Sequence, residues 1–150
     1  MAGAGGHTPL CNYFIDLMKL EYPNAEIKMK NNSIGGKNTM WGLYSLESAL
    51  LSQGYSDLFI ISLGTNDSPY GANYNEMAIN YQSMVEKIRN ANPECEIIFL
   101  SYGRENEIKN TGTGNVTNFI KAMLDVANYY GIPMVDTTLP FYNLCQASAS

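Results

Sequence analysis

The stretch Asp57–Ser68, DLFIISLGTNDS, constrains the fold of this chain more than any other part of the sequence. Its apolar run from Leu58 to Leu63 ends abruptly in Gly64-Thr65-Asn66-Asp67, which is typical of a strand buried on both faces. Open α/β sheets keep their sites at the carboxyl ends of such strands. An Asn held there can aim its side-chain NH₂ group at a substrate oxygen, and Gly64 lets the backbone turn where a Cβ would obstruct.

Helical and strand patterns alternate along the whole sequence. Apolar spacing and helix-end signals predict helices over about Thr8–Pro23, Thr39–Gly54 with Thr39 as the N-cap, Asn73–Asn90 and Val116–Tyr130. Short apolar runs predict strands at Ala25–Met29, Leu58–Leu63, Glu96–Tyr102 and Pro133–Thr137. This alternation predicts one domain over residues 1–150, an α/β fold built as a three-layer α/β/α sandwich with a parallel sheet.

A second polar loop, Asn31–Gly36, follows the predicted strand Ala25–Met29, so we expect it at the same edge of the sheet. Hydrolysis of an ester needs a nucleophile, a base and hydrogen-bond donors for the developing oxyanion. The backbone N–H of Gly36 and the side-chain NH₂ of Asn66 are donors of the right type. Alone, an Asn-Asp pair after a strand is usually a turn or a helix cap. Two such blocks in this order, each after a predicted strand, are less easily explained by chance than a single pair.

Composition limits the kinds of partner. With 45% apolar and 15% charged residues the chain is an ordinary globular sequence, and its net charge of −5 argues against binding to nucleic acid or to an anionic membrane surface. No run reaches the roughly 18 apolar residues of a membrane span. The three cysteines cannot all pair and lack metal-ligand spacing, which favours a reducing, cytoplasmic compartment. No phosphate-binding or dinucleotide motif is present, so we expect no cofactor and no metal.

The two polar blocks resemble those of the SGNH hydrolases, the GDSL lipase/esterase superfamily. Asn31–Gly36, followed by Asn38-Thr39, is similar to the second block of that family, and Gly64–Asp67 is similar to its third block. The resemblance covers about Gly3 to Asp136. It implies the flavodoxin-like sheet of the SGNH fold and an oxyanion hole in which Gly36 supplies a backbone N–H and Asn66 a side-chain donor.

At both ends the sequence departs from the family pattern. The Gly-Asp-Ser block that carries the nucleophile is absent, and Ala2–Gly6 is similar to the residues that follow it. The closing Asp-x-x-His-Pro block is also absent, since Asp136-Thr137-Thr138-Leu139-Pro140 has Leu at the His position and Asp136 is interpreted as structural. We therefore expect a domain trimmed at both ends, without its first strand and last helix, whose exposed sheet edges favour homo-oligomers.

Other polar residues have weaker claims to a catalytic role. His7 is the only histidine, so an internal triad must use it, although a capping or exposed position suits it better. Ser33, Ser62 and Ser101 are nucleophiles only formally, because Ser33 lies in the oxyanion loop and the others in or at the end of buried strands. We expect Asp67 to brace its loop through hydrogen bonds to backbone N–H groups.

Three functions follow from these observations. The leading one is a carboxylic-ester hydrolase with a serine acyl-enzyme mechanism, acting on acyl or acetyl esters such as acetylated glycans or lipids. The alternative is a catalytically inactive binding module that keeps the same fold and cleft. A flavodoxin-like nucleotide or signalling domain is the third, and the paired blocks argue against it.

Overall fold

A computed structural model describes residues 9–54, 56–67, 73–101, 115–137 and 140. The chain divides into two compact units, Met1–Gly36 and Lys37–Ser150, and each is described by itself. The organisation as one domain therefore stays a prediction.

In the first unit, helix α1 spans Pro9–Glu21. Proline suits its first position because the missing N–H has no helical partner there and the fixed φ angle is already helical. The N–H of Tyr22 donates to the carbonyl of Met18 at 2.8 Å and closes the last turn. Pro23 follows, and α1 thus ends where the sequence predicts.

The predicted strand Ala25–Met29 is wrong: no strand is assigned to this segment. Its side chains do alternate, with Ile27 and Met29 half-buried and Glu26 and Lys28 exposed, and Lys28 Nζ lies 2.9 Å from Glu26 Oε1. Residues two apart share a side of an extended chain, which explains this contact. A strand also needs a backbone partner, and the strand pairs of the described residues do not include this segment. The loop at residues 31–36 therefore does not follow a strand.

The second unit contains a parallel sheet of three strands in the order β1 (Leu58–Ile61), β2 (Glu96–Ser101) and β3 (Met134–Asp136). Strand β1 ends two residues before the predicted Leu63. Beyond the end of the strand, the carbonyl of Leu63 accepts a hydrogen bond from the Tyr81 hydroxyl at 2.9 Å. The predicted α/β class and parallel sheet are confirmed. Association through sheet edges stays a prediction.

Three further helices are α2 (Thr39–Gln53), α3 (Tyr74–Ala91) and α4 (Asn115–Tyr130). The N-cap of α2 is Asn38 rather than the predicted Thr39, because Asn38 Oδ1 accepts from the N–H of Trp41 at 2.9 Å. Helix α3 begins with a capping box between Asn73 and Glu76. None of the described helices is long and apolar enough to cross a membrane.

The core lies between the sheet and the helices of the second unit. In β2 the side chains of Ile97, Phe99 and Ser101 are buried, whereas those between them are half-buried. The buried cluster adds residues of α3 and α4, namely Met77, Tyr81, Met84, Val85, Ile88, Phe119, Ala122, Met123, Val126 and Ala127. Helix α3 packs between α2 and α4. This packing of the helices places α2 and α3 at the carboxyl end of β1.

Candidate functional site

The turn that follows β1 is held against α3 and α4. The N–H of Asp67 donates to the carbonyl of Gly64 at 3.0 Å, and Gly64 has φ +120°. A Cβ at Gly64 would lie 2.5 Å from both Phe119 Cδ2 and Tyr81 Oη. Only glycine satisfies both the backbone angle and this packing.

The first turn of α2 comes equally close to the end of β1. A Cβ on Gly42 would lie 2.2 Å from Leu63 Cδ1, so the missing side chain lets the helix approach. Two segments that are far apart in sequence, the turn after β1 and the start of α2, are therefore neighbours in the second unit.

Asp67 connects these two segments. Both Asp67 and Thr39 are completely buried. The Asp67 carboxylate accepts from the backbone N–H of Thr39, at 3.0 Å to Oδ2 and 3.2 Å to Oδ1, and also from the Thr39 hydroxyl. A carboxylate at a helix N-terminus also interacts favourably with the helix dipole. Asp67 thus bonds a backbone N–H as predicted, but it braces α2 rather than its own loop.

Helix α3 adds a third residue to this contact. Asn80 Nδ2 donates to Thr39 Oγ1 at 2.9 Å. Burial raises the pKa of Asp67, an effect that its hydrogen bonds from Thr39 oppose. Burial, and secondly the nearby charge of Asp67, raise the pKa of Tyr81 well above its usual value, so that Tyr81 donates to Leu63 as a neutral phenol.

Asn66, the predicted side-chain donor, is half-buried beside Asp67. Its Nδ2 donates to the backbone carbonyl of Lys37 at 2.9 Å. This contact uses one of the two hydrogens that an amide NH₂ group carries. A main-chain carbonyl at the start of α2 thereby orients the Asn66 amide.

Gly36, the predicted backbone donor, belongs to the first unit. It is exposed, has φ +77°, and an added Cβ would meet no atom within 4 Å. A positive φ agrees with the expected need for glycine in this loop. The pairing of Gly36 with Asn66 in one oxyanion hole stays a prediction.

The formal nucleophiles differ in their surroundings. Ser101 is buried at the end of β2, where its hydroxyl donates to Asp136 Oδ1 at 2.5 Å. This strand-to-strand contact supports a structural role for Asp136. Ser62 is exposed rather than buried, as is Ile60 two residues before it, so β1 is not buried on both faces as predicted; Ser33 is also exposed. His7 lies outside the described residues, as does the segment 2–6.

Sequence reasoning missed two residues of this site, Asn80 and the hydroxyl of Tyr81. Tyr81 belongs to the predicted apolar stripe of α3, and a buried tyrosine hydroxyl usually needs a partner, which is the one signal available. Asn80 gives no signal, since its partner Thr39 is 41 residues away in the chain.

Comparison with known proteins identifies the family. The family model described as GDSL-like lipase/acylhydrolase matches residues 1–150. No curated protein matches the chain significantly.

Several solved structures share the fold. An acetyl xylan esterase from Geobacillus stearothermophilus aligns with a TM-score of 0.75 at 18% identity, over 97% of this chain and 75% of that one. A lipase/acylhydrolase from Enterococcus faecalis aligns with a TM-score of 0.70 at 18% identity, over 90% and 70% of the two chains. A possible lipase from Chitinophaga pinensis aligns with a TM-score of 0.61 at 20% identity, over 83% of this chain; the chain spans 57% of that protein's length.

Proposed function

Since the chain belongs to the GDSL-like lipase/acylhydrolase family, we propose that it forms the oxyanion-stabilising core of a carboxylic-ester hydrolase. The substrate class is acyl or acetyl esters, with acetylated glycans as the first candidates, because a structural neighbour is an acetyl xylan esterase. The observation that carries the proposal is the hydrogen bond from Asn66 Nδ2 to the carbonyl of Lys37. A donor held by the main chain needs little reorganisation when charge develops on a substrate oxygen.

In the proposed reaction a serine hydroxyl attacks the ester carbonyl and transfers its proton to a base. The carbonyl oxygen becomes the oxyanion of a tetrahedral intermediate, which accepts hydrogen bonds from Asn66 and from the N–H of Gly36. Collapse of the intermediate expels the alcohol, which takes up the proton, and water then hydrolyses the acyl-enzyme. The nucleophile and base are not assigned to residues of this sequence.

The alternative function, a binding module, has its own support. The sequence contains no Gly-Asp-Ser block and only one histidine, His7. A chain of this kind can keep the donors for an ester oxygen and hold an acetylated ligand without cleaving it.

Hydrolysis assays separate the two functions. We expect no saturable hydrolysis of p-nitrophenyl acetate or acetylated xylooligosaccharide by residues 1–150, because without a nucleophile only binding and oxyanion stabilisation remain. A version extended upstream by a strand ending in Gly-Asp-Ser, and downstream by an Asp-x-x-His segment, should hydrolyse both. An inactive extended version that still binds the acetylated oligosaccharide would favour the binding module. Saturable activity of the unextended chain, lost in Asn66→Ala, would reveal a nucleophile elsewhere, and His7→Ala is then the next variant.

A further inference from the structure

The buried polar cluster behind Asn66 has no part in the proposed reaction. Asp67 and Thr39 are completely buried, and Asn80 joins them from α3. Burial of a carboxylate costs free energy unless hydrogen bonds replace the lost water. In this cluster they do, since no buried side-chain nitrogen or oxygen of the described residues lacks a partner.

Donor and acceptor are determined at each side-chain hydrogen bond of this cluster. A carboxylate only accepts, so the single hydrogen of the Thr39 hydroxyl points to Asp67. The oxygen of Thr39 is then left to accept from the Asn80 amide, as it does at 2.9 Å. The cluster therefore connects the turn after β1, the start of α2 and the middle of α3 through buried hydrogen bonds.

The same two segments carry the contact that orients Asn66. Asn66 directly precedes Asp67, and Lys37, which accepts from Asn66, lies two residues before Thr39. The hydrogen bond from Asn66 to Lys37 and that from Thr39 to Asp67 therefore run side by side between the turn and the start of α2. A shift of α2 that breaks the hydrogen bond from Thr39 to Asp67 also moves the Lys37 carbonyl, which accepts from Asn66.

We infer that Asp67, Thr39 and Asn80 are positioning residues for the amide of Asn66. The inference rests on the proposed function for its meaning, since that function makes Asn66 the donor to the ester oxygen. None of the three touches the substrate in this account. Their role is to hold the start of α2 where the carbonyl of Lys37 can accept from Asn66.

The test is the side-chain NH₂ signal of Asn66 in ¹⁵N–¹H spectra of the full chain, assigned by its loss in Asn66→Ala. Thr39→Val keeps the shape of Thr39 and removes the hydroxyl, whereas Thr39→Ser keeps the hydroxyl. We expect Thr39→Val to move the Asn66 signals and to speed hydrogen exchange of its bonded N–H by roughly five- to tenfold. Thr39→Ser should stay close to the wild type, and so should Asn90→Ala, which changes an exposed Asn on α3.

A folded Thr39→Val protein whose Asn66 signals keep their wild-type positions and exchange rates would overturn the inference, even if its stability falls. If Thr39→Val does not fold, Asn80→Ala decides by the same criterion, because it leaves Asp67 and Thr39 in place. These spectra need no catalysis. A failure of the proposed ester hydrolysis would appear in the assays and leave this result untouched.

Discussion

The carboxylate of Asp67 accepts a hydrogen bond from the backbone N–H of Thr39, which places a buried charge at the first residue of α2. This contact joins the turn after β1 to a helix that begins 28 residues earlier. The start of α2 is therefore defined by a tertiary contact as well as by its own N-cap.

Removing this carboxylate should destabilise the second unit. In Asp67→Ala the buried N–H and hydroxyl of Thr39 lose their acceptor, and an unsatisfied buried donor costs about 1–3 kcal/mol. Urea unfolding measures the difference. Asp57→Ala, which changes an exposed Asp before β1, is the matched control and should alter the unfolding free energy by less than about 0.5 kcal/mol. Equal losses in the two variants would contradict the role of Asp67.

The pKa of Asp67 should lie above the ordinary pKa of an aspartate, and that of Asp125 below it. Burial raises the pKa of Asp67, whereas hydrogen bonds from Lys121 and then Tyr74 lower the pKa of the half-buried Asp125. The stability linked to Asp67 is thus greatest at low pH and is lost as the pH rises through its folded-state pKa. The stability linked to Asp125 is present above the pKa that this carboxyl has in the unfolded chain. It is lost as the pH falls through the folded-state pKa of Asp125. Carboxyl ¹³C titrations of both residues check the order, which an Asp67 midpoint below that of Asp125 would contradict.

Gly64→Ala should be far more damaging than Gly54→Ala. Both glycines have positive φ angles, +120° and +72°, but only at Gly64 would the added Cβ meet other atoms, at 2.5 Å. Strained backbone costs about 1–3 kcal/mol, and overpacking adds about 1–3 kcal/mol at Gly64. Thermal and urea unfolding of the two variants compares these costs. Similar losses would show that the turn relaxes around the new methyl group.

Tyr81→Phe should destabilise the protein by about 1–3 kcal/mol, because the carbonyl of Leu63 loses its donor where the chain leaves β1. Tyr44→Phe removes a hydroxyl from a side chain that is 75% exposed, and should have little effect. Urea unfolding of this pair isolates the buried hydrogen bond. A Tyr81→Phe protein as stable as the wild type would mean that another donor replaces the hydroxyl.

Sequence patterns predicted the four described helices and the three paired strands because each has its own apolar periodicity. They failed at Ala25–Met29, where the alternation of side chains is real but carries no information about a backbone partner. They also chose Thr39 over Asn38 as the N-cap of α2. Both residues are good caps, and only the tertiary contact with Asp67 turns the Thr39 hydroxyl elsewhere.

Only the part of the candidate site that lies in a local sequence block could be proposed from the sequence. Asn66 and Gly64 stand in a block with a recognisable order, and Gly64 has the backbone angle that its position after β1 suggested. The contact between Asn80 and Thr39 depends on how α3 packs beside α2, a relation that no local pattern encodes.

The most direct measurement is the turnover number of the version extended at both ends, with Asn66→Ala compared with Asn90→Ala on p-nitrophenyl acetate. Loss of one oxyanion donor lowers kcat by about 10²–10³-fold, so this is the expected effect of Asn66→Ala, with KM changed little. Asn90→Ala, on the exposed side of α3, should leave kcat unchanged. An Asn66→Ala enzyme that keeps the wild-type kcat would contradict the assignment of Asn66 as the donor to the ester oxygen.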